Sequence, residues 1–139
     1  MFAALVSHPW AYPALEIAHI FGIALLVGNL VLLEMRVFGR GAALPVAPLA
    51  RLSLGLALAG VSLAAASGLL MFATRPGELL ANRAFTLKML LLLAAACNAA
   101  MFHARGSLVL LDGIARAQMV LSTVIWLAVI TCGRWIAYL

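Results

Sequence analysis

Three side chains with binding chemistry fall inside stretches apolar enough to cross a bilayer: His19, Lys88 and Arg134, with Glu16 one helical turn from the histidine. An imidazole offers a lone pair to a metal or a proton near neutral pH, and two cations beside it can hold haem propionates or another anion. Glu16 and His19 are three apart and are neighbours on a helix. Met71 and Met89 place soft sulfur atoms at the same level. A charge deep in a bilayer costs several kcal/mol on insertion scales, so each of these groups requires a partner or a function. Two expectations stay open. In one, the cluster holds a metal, a haem or an anionic redox cofactor. In the other it is structural: Glu16 neutralises Lys88 or Arg134, the long basic side chains snorkel to the interface, and His19 bonds a backbone carbonyl.

The elements that must position these groups follow from composition. Of 139 residues, 67% are hydrophobic and 9% charged, with a mean hydropathy of +1.18. A water-soluble domain of this length cannot hide so much apolar surface. A transmembrane helix needs about 20 mostly apolar residues, and the chain supplies four such runs, Tyr12 to Leu33, Leu49 to Ala73, Phe85 to Phe102 and Ala117 to Ala137. The first run lacks a preceding Lys or Arg, is long for the core of a secretory leader and is followed by Glu34-Met35-Arg36, so it reads as a retained span. The connections carry Gly, and all but the last carry Pro, which end and reverse helices. The expected fold is all-α, a single transmembrane domain over residues 1–139, a four-helix bundle running up-down-up-down. "SLVLLDGIAR" in the third connection suits a short interfacial helix.

The net charge of +5 would suggest nucleic acid in a soluble protein. Here the basic residues mark the ends of spans, which serves headgroup anchoring and topology in the lipid bilayer, with no nucleic-acid partner. With Lys88 and Arg134 left aside as in-span residues, Arg75 and Arg83 lie on the side of the termini and Arg36, Arg40, Arg51, Arg105 and Arg116 on the other. The positive-inside rule then places both termini outside, periplasmic for a bacterial inner membrane. Trp10, Tyr12, Trp135 and Tyr138 make an aromatic belt on that side. Cys97 and Cys132 are within spans without CxxC spacing and say little about redox compartment.

Small residues organise the packing. In the second span Ser53, Ala57, Gly60, Ala64, Ser67 and Met71 alternate steps of four and three, a stripe that lets another backbone approach closely. Ala14, Ala18 and Gly22 repeat the device in the first span, and Asn29 and Asn98 lie deep enough to bridge helices through their amides. At the other end, Glu34, Arg36, His103 and Arg105 form a second polar group, most simply a salt-bridge network at the headgroups with Glu34 paired to Arg36. His19 and His103 differ in depth by about 15 Å at 1.5 Å per residue, so they cannot share one iron. A haem at His19 would take Met71, Lys88 or nothing as its sixth ligand, or a group from a partner chain. There is no Ser-His-Asp set, Walker loop, HExxH or dinucleotide fingerprint.

The stretches "HIFGIALLVGNLVLLEMRVFG", "NRAFTLKMLLLLAAACNAAMFH" and "GRWIAY" together resemble a family of small four-span bacterial membrane proteins over nearly the whole chain. "AFTLKMLLLLAAACNAAMFH" is also similar to the matching helix of the CopD copper-resistance family, where a lysine begins a leucine-rich helix that ends with Asn and a basic residue. That resemblance implies copper binding or transport, with His19, His8 and Met71 as ligands. A fainter likeness is to HemJ-type membrane proteins, with a histidine in the first helix and a lysine in a later one, here His19 and Lys88. It implies b-type haem with His19 as ligand, although the HemJ pattern's other polar residues are not recognisable. The functional expectation is a membrane protein binding haem b around His19, with Lys88, Arg134, Glu16 and Met71 nearby, for electron transfer or redox chemistry. The alternatives are copper handling and an accessory subunit without a cofactor; a homo-oligomer or a membrane redox partner fits any of them.

Overall fold

The computed structural model describes residues 7–138; residues 1–6 and 139, part of the single domain expected from the sequence, lie outside the described residues. Four long helices dominate: α1 (Ala11–Val37), α2 (Val46–Thr74), α4 (Arg83–Arg105) and α6 (Gly113–Trp135), with α3 (Pro76–Ala81) and α5 (Ser107–Leu110) as single short turns in two connections. No strand occurs among the described residues. All four long helices are long and apolar enough to cross a membrane, and the protein is an integral membrane helical bundle.

The helix ends overrun the apolar spans, except that α6 stops at Trp135, short of the expected Ala137, because a helix stops at a capping signal and not where hydrophobicity ends. α1 ends in a Schellman motif: Gly39, at φ +93°, turns the chain, its N–H bonding the Arg36 carbonyl at 3.0 Å and the Arg40 N–H the Met35 carbonyl at 2.9 Å. Asn82 caps α4 by accepting the Ala84 N–H at 2.9 Å, and its amide donates to the Ile136 carbonyl at 3.0 Å, tying the start of α4 to the end of α6. Asp112 caps α6 by accepting the Ala115 N–H at 2.9 Å.

Lipid tails are as apolar as leucine, so these helices associate by close packing and not by escape from water. α1 and α2 form the tightest pair. A Cβ at Gly22 would stand 2.7 Å from the Gly60 carbonyl oxygen, and one at Gly60 2.6 Å from that of Gly22. The two backbones touch at this crossing. The small-residue stripe of α2 is buried at Ser53, Ala57, Gly60, Ala64 and Ser67, whereas Leu52, Leu56, Leu58 and Leu69 of the same helix are exposed to lipid. α4 packs on α6 through Ala95, Ile125 and Val129, and α1 lies on α6. α2 and α4 meet little, although the rings of Phe72 and Phe85 stack 5.7 Å apart at their ends.

The bundle has two ends: a terminal end, where α1 begins and α6 finishes, and a far end. At the far end all four helices converge on Leu33, Val37, Ala50, Phe102, Ala115 and Met119. A buried polar chain runs beside that core. Ser107 donates to the Gln118 side-chain carbonyl at 2.6 Å and accepts from Arg105 at 2.8 Å, and Asn98 donates to the Gln118 backbone carbonyl at 2.9 Å. Asn98 thus bridges α4 and α6, but Asn29 bonds Leu25 of its own helix.

Candidate functional site

His19, Lys88, Cys132 and Ser67 reach one level from four different helices. At 1.5 Å rise per residue, His19 lies about 12 Å past the start of α1, Lys88 about 8 Å past that of α4, Ser67 about 10 Å before the end of α2, and Cys132 about 5 Å before that of α6. Those four helix ends are all at the terminal end, so the antiparallel topology brings the four residues to the same end of the bundle, and the rotation of each helix decides which of them meet.

The His19 ring is held in one orientation. Its Nδ1 stands 2.8 Å from the Ala64 carbonyl oxygen and 3.2 Å from the Ser67 hydroxyl, which itself donates to the Leu63 carbonyl at 2.7 Å. A carbonyl only accepts, so Nδ1 carries the ring proton and donates it; Nε2 keeps its lone pair. Nε2 makes no hydrogen bond to the described residues. Gly68 gives the ring its room, since a Cβ there would lie 3.3 Å from Cε1.

Lys88 is half-buried and lies against Gly133, where a Cβ would stand 3.5 Å from Nζ. Gly133 follows Cys132 in α6, so the ammonium reaches the helix that carries that cysteine's thiol. No carboxylate answers the ammonium: the ion pairs among the described residues are Arg75 with Glu78 and Arg105 with Asp112. An imidazole with a free lone pair and, in the same half of the bundle, an ammonium without a carboxylate partner supply the donor types that a metal and an anionic group would need.

Other expected members are elsewhere. Glu16 is exposed and pairs with neither Lys88 nor Arg134: one turn nearer the surface than His19, it is within reach of water, where an ion pair gains little. Arg134 turns outward, donating to the Tyr138 hydroxyl at 3.0 Å with its guanidinium 5.3 Å from that ring. Met71 is half-buried a turn beyond Ser67, and Met89 is exposed. His8 is exposed and accepts the Trp10 N–H at 3.2 Å; it lies on the turn before α1, and the helix alone rises about 12 Å from Ala11 to His19, so His8 and His19 do not meet. Among the described residues no three His, Cys, Asp or Glu side chains are grouped to hold a metal ion.

The far-end group is likewise divided. Glu34 accepts a hydrogen bond from Thr123 of α6, Arg36 donates to the Leu44 carbonyl at 2.8 Å, Arg105 engages Asp112 and Ser107, and His103 is exposed with its ring edge-on to Phe102. The expected Glu34–Arg36 pair does not form, because residues two apart on a helix point in different directions. The Arg105 guanidinium holds the Asp112 carboxyl below the usual aspartate range, aided by the Ala115 N–H. Cys132, Gly68 and Gly133 around His19 and Lys88, and Gln118, Ser107 and Thr123 at the far end, were not singled out as partners of these groups from the sequence. Gln118, an amide in an apolar run, carried the clearest signal.

Compared with models of known families, with curated proteins and with solved structures, the chain matches none.

Proposed function

We propose that this integral membrane protein binds b-type haem in the terminal half of the bundle, where His19 would hold it through Nε2, and serves in electron transfer. The observation that carries the reading is the Nδ1–H···O=C bond from His19 to Ala64 at 2.8 Å. Ligating histidines characteristically donate their other ring N–H to a carbonyl or carboxylate, which fixes the tautomer and makes the free nitrogen a better donor. Lys88, without a carboxylate partner in the chain, would pair with a propionate. When bound, haem supplies a one-electron iron couple whose potential depends on axial ligation and burial. His8 and His103 are too far from His19 for a second imidazole from the same chain, so the reading requires one histidine ligand per chain. The copper alternative draws less support, since among the described residues no three His, Cys, Asp or Glu side chains are grouped to hold a metal ion.

The test is an absorption spectrum of the protein purified in mild detergent, as isolated and after dithionite, with iron and copper determined on the same sample. The expected result is a Soret band, sharpened α and β bands on reduction and stoichiometric iron, all lost in His19→Ala. A full Soret band in His19→Ala, or no iron in the parent, would overturn the proposal. Stoichiometric copper in place of iron would move His19 to metal handling.

A further inference from the structure

A residue near the C-terminal end of a transmembrane helix throws its side chain back into the bilayer, because the Cα–Cβ bond tilts toward the helix N-terminus. Glu34, one turn from the end of α1, is placed in this way. Its carboxylate reaches inward to the Thr123 hydroxyl of α6, about 9 Å inside the edge of the apolar run that begins at Ala117. It makes no ion pair; those among the described residues are Arg75 with Glu78 and Arg105 with Asp112. Around it an open groove of about 600 Å³ runs along α1 and α6, lined by Val31, Glu34, Met35, Phe38, Arg40 and Thr123. Val31, Glu34, Met35 and Phe38 follow the i, i+3, i+4, i+7 spacing of one helix face, and the three apolar ones are exposed to lipid. Arg40 stands on the turn beyond α1, at the headgroup mouth of the groove.

We infer that this groove docks a transmembrane helix of a partner protein that carries a single Lys or Arg at the depth of the Glu34 carboxylate. The occupant follows from charge complementarity. An acidic side chain in hydrocarbon is costly, and pairing with a charge of opposite sign offsets the cost. The apolar side chains above and below it offer the ridge on which a second helix packs. A second copy of this chain does not supply the cation. Lys88 Nζ lies against Gly133, about 15 Å along α6 from Thr123, and Arg134, next in sequence, turns outward to Tyr138. Inverting the copy does not help, because Thr123 sits about midway along α6 (Gly113–Trp135) whereas both cations stay near an end. A phospholipid fits no better: a headgroup ammonium lies outside its phosphate, and only acyl chains reach the level of Glu34. A helix can carry its cation at whatever depth its sequence sets.

The experiment is fluorescence resonance energy transfer in phosphatidylcholine vesicles between the full chain, labelled at its amino terminus, and dye-labelled transmembrane peptides of alternating Leu and Ala. The peptides carry Lys, Leu or Glu at their centre, so that insertion in either direction presents that residue at the same depth. The Lys peptide should associate about tenfold more tightly than the Leu peptide, the scale of one polar contact between membrane helices, and the Glu peptide no better than Leu. Glu34→Gln, whose amide oxygen still accepts from Thr123, should bring the Lys peptide to the Leu value. Val31→Trp, which fills the groove from an exposed position, should weaken every peptide. Far-UV circular dichroism checks that both variants keep the parent's helix content. Equal association of the Lys and Leu peptides with the parent would overturn the inference, as would a Lys preference that survives Glu34→Gln or binding unchanged in Val31→Trp. Transfer between differently labelled copies that Val31→Trp abolishes would give the groove to a second chain, and displacement of the Lys peptide by phosphatidylethanolamine would give it to lipid; either would overturn the inference.

Discussion

The α1–α2 crossing allows one substitution to be tried at two places on one helix with opposite outcomes. At Gly60 an added Cβ would stand 2.6 Å from the Gly22 carbonyl oxygen and 2.7 Å from the Leu26 nitrogen, whereas at Gly55 nothing lies within 4 Å. Both obstacles at Gly60 are backbone and cannot rotate away. Restoring ordinary contact from 3.4 Å outward requires the helices to part by about 0.8 Å, a gap that forfeits a quarter to a half of each contact's attraction. Overpacking of this kind costs about 1–3 kcal/mol, while Ala in place of an unobstructed helix glycine gains up to about 1 kcal/mol. The propensity gain is common to both positions, so Gly60→Ala should be less stable than Gly55→Ala by about 1–3 kcal/mol. The damage should reach the site. Ala64, one turn on, accepts from His19 at 2.8 Å, and the same 0.8 Å would carry that bond past the roughly 3.2 Å limit favoured by N–H···O bonds. The assay is reversible unfolding in mixed detergent and SDS, followed by far-UV circular dichroism, with ¹⁵N NMR of the His19 ring to read its Nδ1 proton. Equal stability of the two variants would refute the backbone-contact account, and an unchanged Nδ1–H signal in a destabilised Gly60→Ala would refute its transmission to His19.

Lys88→Met should raise the midpoint of unfolding, because it removes an uncompensated charge whose insertion alone costs about 2.5–3.5 kcal/mol at a helix centre, an upper bound nearer the interface; a lower midpoint would mean that the ammonium has a structural partner. Gln118→Leu strands the buried Ser107 hydroxyl and should cost about 1–3 kcal/mol, with much of the loss recovered in the double variant Ser107→Ala, Gln118→Leu; a strictly additive cycle would deny their coupling. Asp112 predicts an acid limb. Its carboxyl is held below its ordinary value in the folded protein, so its contribution is fully present above the unfolded-state value and is lost as pH falls through the folded one. Melting temperatures measured downward from neutrality should show this limb only below the ordinary aspartate range, and Asp112→Asn, which can still cap α6, should lack it. An identical acid limb in both proteins would assign it to another carboxylate.

Much of the architecture was legible without coordinates, and particular residues show why. Runs of about 20 apolar residues have one stable use in a bilayer, since a helix is the element that satisfies its own backbone there. Gly and Pro between them mark the reversals. Ser53, Ala57, Gly60, Ala64 and Ser67 could be read as a buried stripe because periodicity is local information: on a helix, spacing in sequence is position on a face.

The partners were not legible, because two residues on different helices meet only once the rotation of each helix is set by packing. Glu16 and Arg134 share the depth of His19 in sequence but turn toward the surface, while Cys132 and Ser67 turn toward the site. Glu34 forgoes the adjacent Arg36 for Thr123, 89 residues away. The sequence alone determined which groups share a level, because the rise per residue is constant. Only the tertiary structure decided which of them face one another, because azimuth depends on the contact at Gly22 and Gly60, where the two backbones meet with no side chain between them.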